Sequence, residues 1–221
     1  LRHLKDAEGV EAAFSSLNEP ALGLAPTPAR HVGFLRALDR AFTAADLPTR
    51  LIAADTSNAT PASLAFATAA VADPLLRGRV GLVAFHTWGG TEDENLVAWR
   101  AVARQAGLPL WVTEGGPDAE AHRHPDLFLA PDYARLELDL YLRICALSRP
   151  GSLMHWQLTA DYSLLDGGGA YGRAGPPTPT RRYWNFRQIG LTPHQSFWIA
   201  ADDDHPEVTT AAAASPASGV W

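Results

Sequence analysis

Val80-Gly81-Leu82-Val83-Ala84-Phe85 is a run without a charged or hydrogen-bonding side chain, and it delivers His86-Thr87-Trp88-Gly89-Gly90 to its end. A short, continuous apolar run is the mark of a strand buried on both faces, as in a parallel sheet covered by helices. The segments around it fit that reading. Before it, Thr60-Pro61 predicts a helix start, Thr60 as cap and Pro61 in the first turn, with the helix running to about Val71. Thr49 to Ala54 reads as a strand closing on Asp55. Behind the Pro-rich stretch Ala25-Pro26-Thr27-Pro28, a helix is predicted from Ala29 to Ala45, with Val32, Leu35, Leu38 and Phe42 at helical spacing. Glu11 to Leu17 reads as a strand ending at Asn18-Glu19-Pro20.

After it, the pattern repeats. A helix is expected from Asp93 to Gln105, stopped by Gly107, and a strand from Leu108 to Thr113 ending at Glu114. Pro131-Asp132 opens a long helix to about Ser148, with Leu136, Leu140 and Ile144 on one face. Ser152 to Leu158 is the fifth strand, carrying His155-Trp156-Gln157, and a helical segment follows near Arg181 to Ile189. Strand–helix alternation with a period near ~30 residues predicts a parallel α/β fold. In a (β/α)8 barrel of ~250 residues, five such units are the C-terminal five, and the first three lie upstream. A five-stranded doubly wound sheet is the rival. Against it, Gly89-Gly90 and Gly115-Gly116 match neither a dinucleotide fingerprint nor a P-loop. Residues 1–190 are thus expected to form part of a barrel, and residues 191–221 the start of a small β appendage or a linker. There, Phe197 to Ala200 reads as a strand, and the Ala/Ser/Pro-rich tail Ala211 to Gly219 as weakly ordered.

Bulk properties narrow the function classes. With 221 residues the chain can bury one substantial core. No apolar run approaches the ~20 residues of a membrane span. A net charge of −6 without a basic stripe argues against nucleic acid as a partner. The single cysteine, Cys145, excludes an internal disulfide and a cysteine zinc cluster, and its helical context predicts a small buried hydrophobe. The seven tryptophans and five tyrosines offer flat apolar faces with a polar handle, which suit pyranose rings. Leu1-Arg2-His3-Leu4-Lys5 lacks a signal-peptide h-region and reads as the end of a helix, so the sequence is expected to begin partway through a domain.

Glu19 and Glu114 end two of the strands, about 95 residues apart, close to three βα units of a barrel. That spacing predicts both carboxylates in one bowl at the C-terminal face. Two carboxyl groups about 5–5.5 Å apart across a sugar carry out hydrolysis with retention, whereas roughly 6.5–9.5 Å suits inversion. Glu19 is assigned as general acid/base and Glu114 as nucleophile, with the Glu114 charge expected to raise the Glu19 pKa.

Ser16-Leu17-Asn18-Glu19-Pro20, Phe85-His86-Thr87-Trp88 and Val112-Thr113-Glu114-Gly115, in that order, resemble the glycoside hydrolases of clan A. These are (β/α)8 retaining enzymes with the acid/base after strand four and the nucleophile after strand seven. Asp55, the His86 motif and Trp156-Gln157-Leu158 are similar to the glucosylceramidase and endo-β-1,6-glucanase family. The resemblance covers about residues 4–190. It implies that Asn18 bonds the sugar 2-hydroxyl, that His86 lines the bowl or orients Glu114, and that Trp156 is the floor under the sugar. Clan members commonly place a tyrosine two residues after that histidine, its hydroxyl on the nucleophile; here the position is Trp88, with an indole N–H instead. Arg181 to Gln188 does not match the family closely.

The remaining constellations are poorer. His122-Arg123-His124 and Asp202-Asp203-Asp204-His205 lack metal-ligand spacing and read as solvated loops. Asp161, Asp166 and Gly167-Gly168-Gly169 are expected to rim the cleft, Asp161 touching substrate. The chemistry requires no metal or cofactor. The chain is therefore read as a retaining β-glycoside hydrolase, with a non-catalytic carbohydrate-binding protein on a decayed barrel as the alternative. A secreted or periplasmic location suits polysaccharide work; the oligomeric state is not legible.

Overall fold

The computed structural model describes residues 1–205, 207–217 and 219–220. In chain order the elements are α1 (Arg2–Glu8), β1 (Phe14–Ser15), α2 (Pro28–Ala44), β2 (Arg50–Thr56), α3 (Pro61–Ala72), β3 (Val80–His86), α4 (Asp93–Ala106), β4 (Leu110–Gly115), α5 (Pro131–Leu147), β5 (Ser152–His155), β6 (Leu165–Asp166), β7 (Thr178–Pro179), α6 (Arg181–Gly190), β8 (Phe197–Ile199), β9 (Ala212–Ser215) and β10 (Gly219–Val220). The first five strands form one parallel sheet in the order β1-β2-β3-β4-β5, a curled, open half-barrel. Each strand lies beside its sequence neighbour, without the reversal of strand order that defines a doubly wound sheet. This decides between the two folds compatible with the βα repeat.

Local chemistry sets the helix ends. Thr27 and Thr60 accept hydrogen bonds at Oγ1 from the backbone N–H groups of Arg30 and Ser63, and Pro28 and Pro61 occupy the first turns. Gly107 ends α4 at φ 66°, the left-handed conformation that glycine adopts without steric cost.

The core has two layers separated by the sheet. Leu51, Ala53, Val83, Phe85 and Val112 pack with the helices, joined by Leu35, Phe66, Leu96, Trp99, Leu140 and Ile144. Ile52, Leu82 and Ala84 form a smaller cluster with Phe14 and Trp111. The two sets alternate along β2 and β3, as strand geometry requires. Every residue of β3 is buried, as the apolar run predicts.

Several expectations need correction. Only Phe14–Ser15 of the Glu11–Leu17 segment is strand, because it pairs along one edge, with β2. Glu19 consequently stands on a turn rather than a strand tip. The fifth strand stops at His155, short of Leu158. Leu136 is exposed, whereas Leu140 and Ile144 are buried. The buried stripe of α5 runs through Tyr133, Glu137, Tyr141 and Ile144, and Leu136 lies beside it. The tail contains strand: β9 pairs antiparallel with both β8 and β10. Ser218, within the stretch expected to be weakly ordered, lies outside the described residues. Trp198 Nε1 ties this small sheet to the Pro150 carbonyl at 3.0 Å.

Candidate active site

The sheet's C-terminal edge collects the candidate residues through irregularities in its ladders. Pairing shifts register between Ala54 and Thr56, between Phe85 and His86, and between Val112 and Gly115. Such bulges re-aim side chains at strand ends. Glu114 comes from β4 directly opposite His86 of β3. Glu19 caps a 3₁₀ turn, Pro20–Leu22, at φ 48° and ψ 56°, and its N–H donates to the Asp55 carbonyl at 2.9 Å.

His86 is 1% exposed and lies between three carboxylates. Its Nδ1 is 3.3 Å from Glu19 Oε1 and 3.3 Å from Glu114 Oε2, without sound hydrogen-bond geometry to either. Its Nε2 faces Asp55 Oδ1 at 3.4 Å. Asp55 is itself held by Ser16 Oγ (2.5 Å) and Thr113 Oγ1 (2.6 Å). Burial works against the Asp55 charge, but the hydrogen bonds from His86, Ser16 and Thr113 outweigh it and hold its pKa below the usual range. For His86, burial again opposes the charge, yet the Asp55 hydrogen bond and the charges of Glu114, Asp55 and Glu19 leave its pKa raised. Burial pushes Glu114 upward, opposed by His86 and by a hydrogen bond from Trp88. Trp88 Nε1 donates to Glu114 Oε2 at 3.2 Å.

The donor atoms of Glu19, His86 and Glu114 all lie within 4.8 Å of one another. The two glutamates therefore share one hollow. It opens into a cleft of about 580 Å³ lined by Asn18, Glu19, Trp88, Glu114, Trp156 and Asp161, among others. Trp156, directly after β5, is 42% exposed on its wall. His86 and Asp55 lie behind this surface; Asp55 braces His86 rather than facing the cleft. Asp166 is not among the lining residues; it pairs with Arg173 beside the β6–β7 turn.

Other participants escape a sequence reading. His122, expected in a solvated loop, lines the cleft, as do Ser57, Asn58 and Tyr162. Tyr162 packs against Trp88 (centroids 5.1 Å) and Phe128 (5.2 Å), and its hydroxyl donates to the Ala119 carbonyl at 2.6 Å. Beneath that wall Arg182, fully buried, clasps Glu137 through Nη2 (2.7 Å) and Nε (3.0 Å) and donates to the Ser163 carbonyl at 2.9 Å. Gly116 leaves room for Trp88, because a Cβ there would strike the indole ring.

A parallel half-barrel with its candidate groups at the strand C-termini is the architecture of (β/α)8 enzymes. Solved structures resemble it at low identity. A GH30 endoxylanase from Clostridium papyrosolvens C71 superposes with a TM-score of 0.69 at 15% identity, over 95% of this chain and 49% of its own. A GH39 enzyme from Xanthomonas axonopodis pv. citri gives 0.56 at 16% identity, over 96% and 48%. A conserved exported protein from Bacteroides fragilis gives 0.62 at 13%, over 92% and 50%. The chain thus spans about half the length of the structures it resembles. No protein-family profile and no curated protein sequence matches it.

Proposed function

We propose that this chain is the catalytic part of a retaining β-glycoside hydrolase acting on a β-linked oligosaccharide, polysaccharide or glycoconjugate by double displacement. One observation carries the reading: the Glu19 and Glu114 donor oxygens lie within 4.8 Å across His86, at the mouth of a cleft with an exposed tryptophan. That separation suits direct attack on the anomeric carbon and leaves no room for the intervening water of an inverting enzyme. Glu114 is the nucleophile. It sits on a strand, with the Trp88 indole N–H fixing its orientation. Glu19 is the acid/base, on a turn and the more exposed of the two (side chains 26% against 16%), where it exchanges protons with solvent.

In the first step Glu19 protonates the departing oxygen as Glu114 attacks, giving a glycosyl ester. In the second, Glu19 takes a proton from water, which displaces Glu114 with net retention. Asn18 would bond the sugar 2-hydroxyl, Trp156 would stack beneath the ring, and Asp161 would bond hydroxyls at the rim. We assign residues 1–190 to the catalytic barrel and 191–221 to the start of a β appendage. The GH30 and GH39 likenesses support membership of clan A near the first of these families, and the exported Bacteroides relative supports an extracytoplasmic location.

The test is a screen of aryl β-glucoside, xyloside, galactoside and fucoside, with NMR of the first-formed anomer. Glu19→Ala and Glu114→Ala should each abolish turnover of activated substrates or slow it at least 1000-fold. An inverted first product sinks the mechanism. Full activity in Glu114→Ala sinks the assignment.

A further inference from the structure

We propose that Glu19, His86 and Glu114 together bind one divalent transition-metal ion, Zn²⁺ by their donor set, and that the ion occupies the position of the sugar. The proposal stands on the geometry of three atoms and on an unpartnered nitrogen. Zn–N and Zn–O bonds of about 2.0–2.2 Å place neighbouring ligands of a tetrahedral site roughly 3.3–3.5 Å apart. His86 Nδ1 lies 3.3 Å from Glu19 Oε1 and 3.3 Å from Glu114 Oε2. Two of the three ligand–ligand edges already have the required length. The third, within 4.8 Å, closes by rotation of the Glu19 side chain, the most exposed of the three.

Nδ1 is buried, aimed between the carboxylates and makes no hydrogen bond. With the neutral ring's one proton on Nε2, toward Asp55, Nδ1 turns a lone pair toward the two carboxylate oxygens in front of it, a ligand position that an ion takes by displacing any proton there. Behind the ring, Asp55 Oδ1 faces Nε2, and Ser16 and Thr113 hold Asp55 in turn. A carboxylate at the far nitrogen of a metal-binding histidine fixes the ring's orientation and tautomer and makes it a better ligand. One imidazole and two carboxylates suit zinc, and the fourth position opens into the cleft for water. A bound ion engages both glutamates, so the loaded protein cannot perform double displacement; this half of the inference rests on the glycosidase reading, whereas the binding does not.

The experiment is calorimetric titration of the chelator-stripped full chain with ZnCl₂, followed by zinc-edge X-ray absorption of the one-equivalent complex. One site is expected, fitted by a single imidazole with oxygen neighbours at roughly 2.0–2.1 Å. Glu114→Gln, an isosteric change at a cleft-facing position, should weaken binding at least 100-fold. Asp55→Asn, which acts through His86, should weaken it about 10–100-fold. His124→Ala, outside the cleft lining, should leave it unchanged, and circular dichroism verifies that each variant is folded. The proposal is overturned by the absence of a site tighter than millimolar, by two or more imidazoles on the ion, or by undiminished affinity in folded Glu114→Gln. Zinc binding without glycoside turnover supports this inference and removes the proposed function; turnover without zinc binding does the reverse.

Discussion

Replacing Arg182 with leucine removes a cation from one of the most enclosed positions in the chain while keeping an apolar side chain in place. Arg182 is 0% exposed and Glu137 2%, and the two are joined by bonds of 2.7 and 3.0 Å. The guanidinium also donates to the Ser163 carbonyl and lies over the Phe128 ring, 4.6 Å from its centroid. The substitution strands the Glu137 carboxylate in the interior, and removing one partner of a buried pair costs about 3–5 kcal/mol. A second route gives a ceiling. A stranded carboxylate escapes by taking up a proton, which for a free glutamate at pH 7 costs about 3.7 kcal/mol. The two routes agree on about 3–4 kcal/mol, or a drop in Tm of about 6–16 °C for a chain of this size. Urea titrations followed by circular dichroism measure it, with the m-value unchanged. Glu137→Leu/Arg182→Leu, which leaves no orphaned charge, should recover at least half of the loss. A single-variant cost under about 1 kcal/mol, or a double variant as unstable as the single, would show that the pair is not the anchor described here.

Azide should rescue Glu114→Gly with an inverted glycosyl azide and Glu19→Ala with a retained one; identical stereochemistry in both variants would overturn the assigned roles. Trp88→Phe removes a hydrogen bond to a charged carboxylate worth about 1.5–3 kcal/mol, so kcat should fall about 10- to 150-fold with the fold intact, and a fall of less than threefold on steady-state kinetics would refute the bond's importance. Gly116→Ala should displace the same indole and perturb tryptophan fluorescence and turnover together; unchanged values for both would contradict the close approach. His31 is fully buried, accepts the Ala54 N–H, and burial lowers its pKa from 6.5 to about 4. Because the neutral ring is the folded form, its contribution is fully present above pH 6.5 and lost as pH falls toward 4, with a slope of up to about 1.4 kcal/mol per pH unit. Denaturant titrations across that window should show a shallower loss in His31→Gln than in the wild type.

The parts of this molecule that sequence makes legible are those set by neighbours along the chain. Thr60-Pro61 is a helix start because cap and first turn are adjacent residues, and Val80 to Phe85 is a buried strand because its composition admits little else. Glu19 and Glu114 stand out through their spacing. What stays hidden depends on meetings across the fold. The register shifts beside Ala54 and Phe85 leave no mark in composition, yet they lie where Asp55 meets His86 and His86 meets Glu114. Ser16 and Thr113 are ordinary residues until the sheet brings both to Asp55. Arg182 reads only as one residue of a predicted helical segment, and the fold alone shows that its partner is 45 residues away. His122 looks like loop polarity because nothing local says that Tyr162 stands beside it.

The backbone beneath Glu19 has a consequence for how this chain evolves and how it is engineered. A left-handed conformation costs a residue with a Cβ about 1–2 kcal/mol relative to glycine, and here it falls on one of the two groups the proposed chemistry depends on. Glu19→Gly should accordingly melt higher than the parent while being inert. Directed evolution scored on thermal tolerance alone would drift toward that dead end, so any library built on this scaffold needs selection for turnover in the same round.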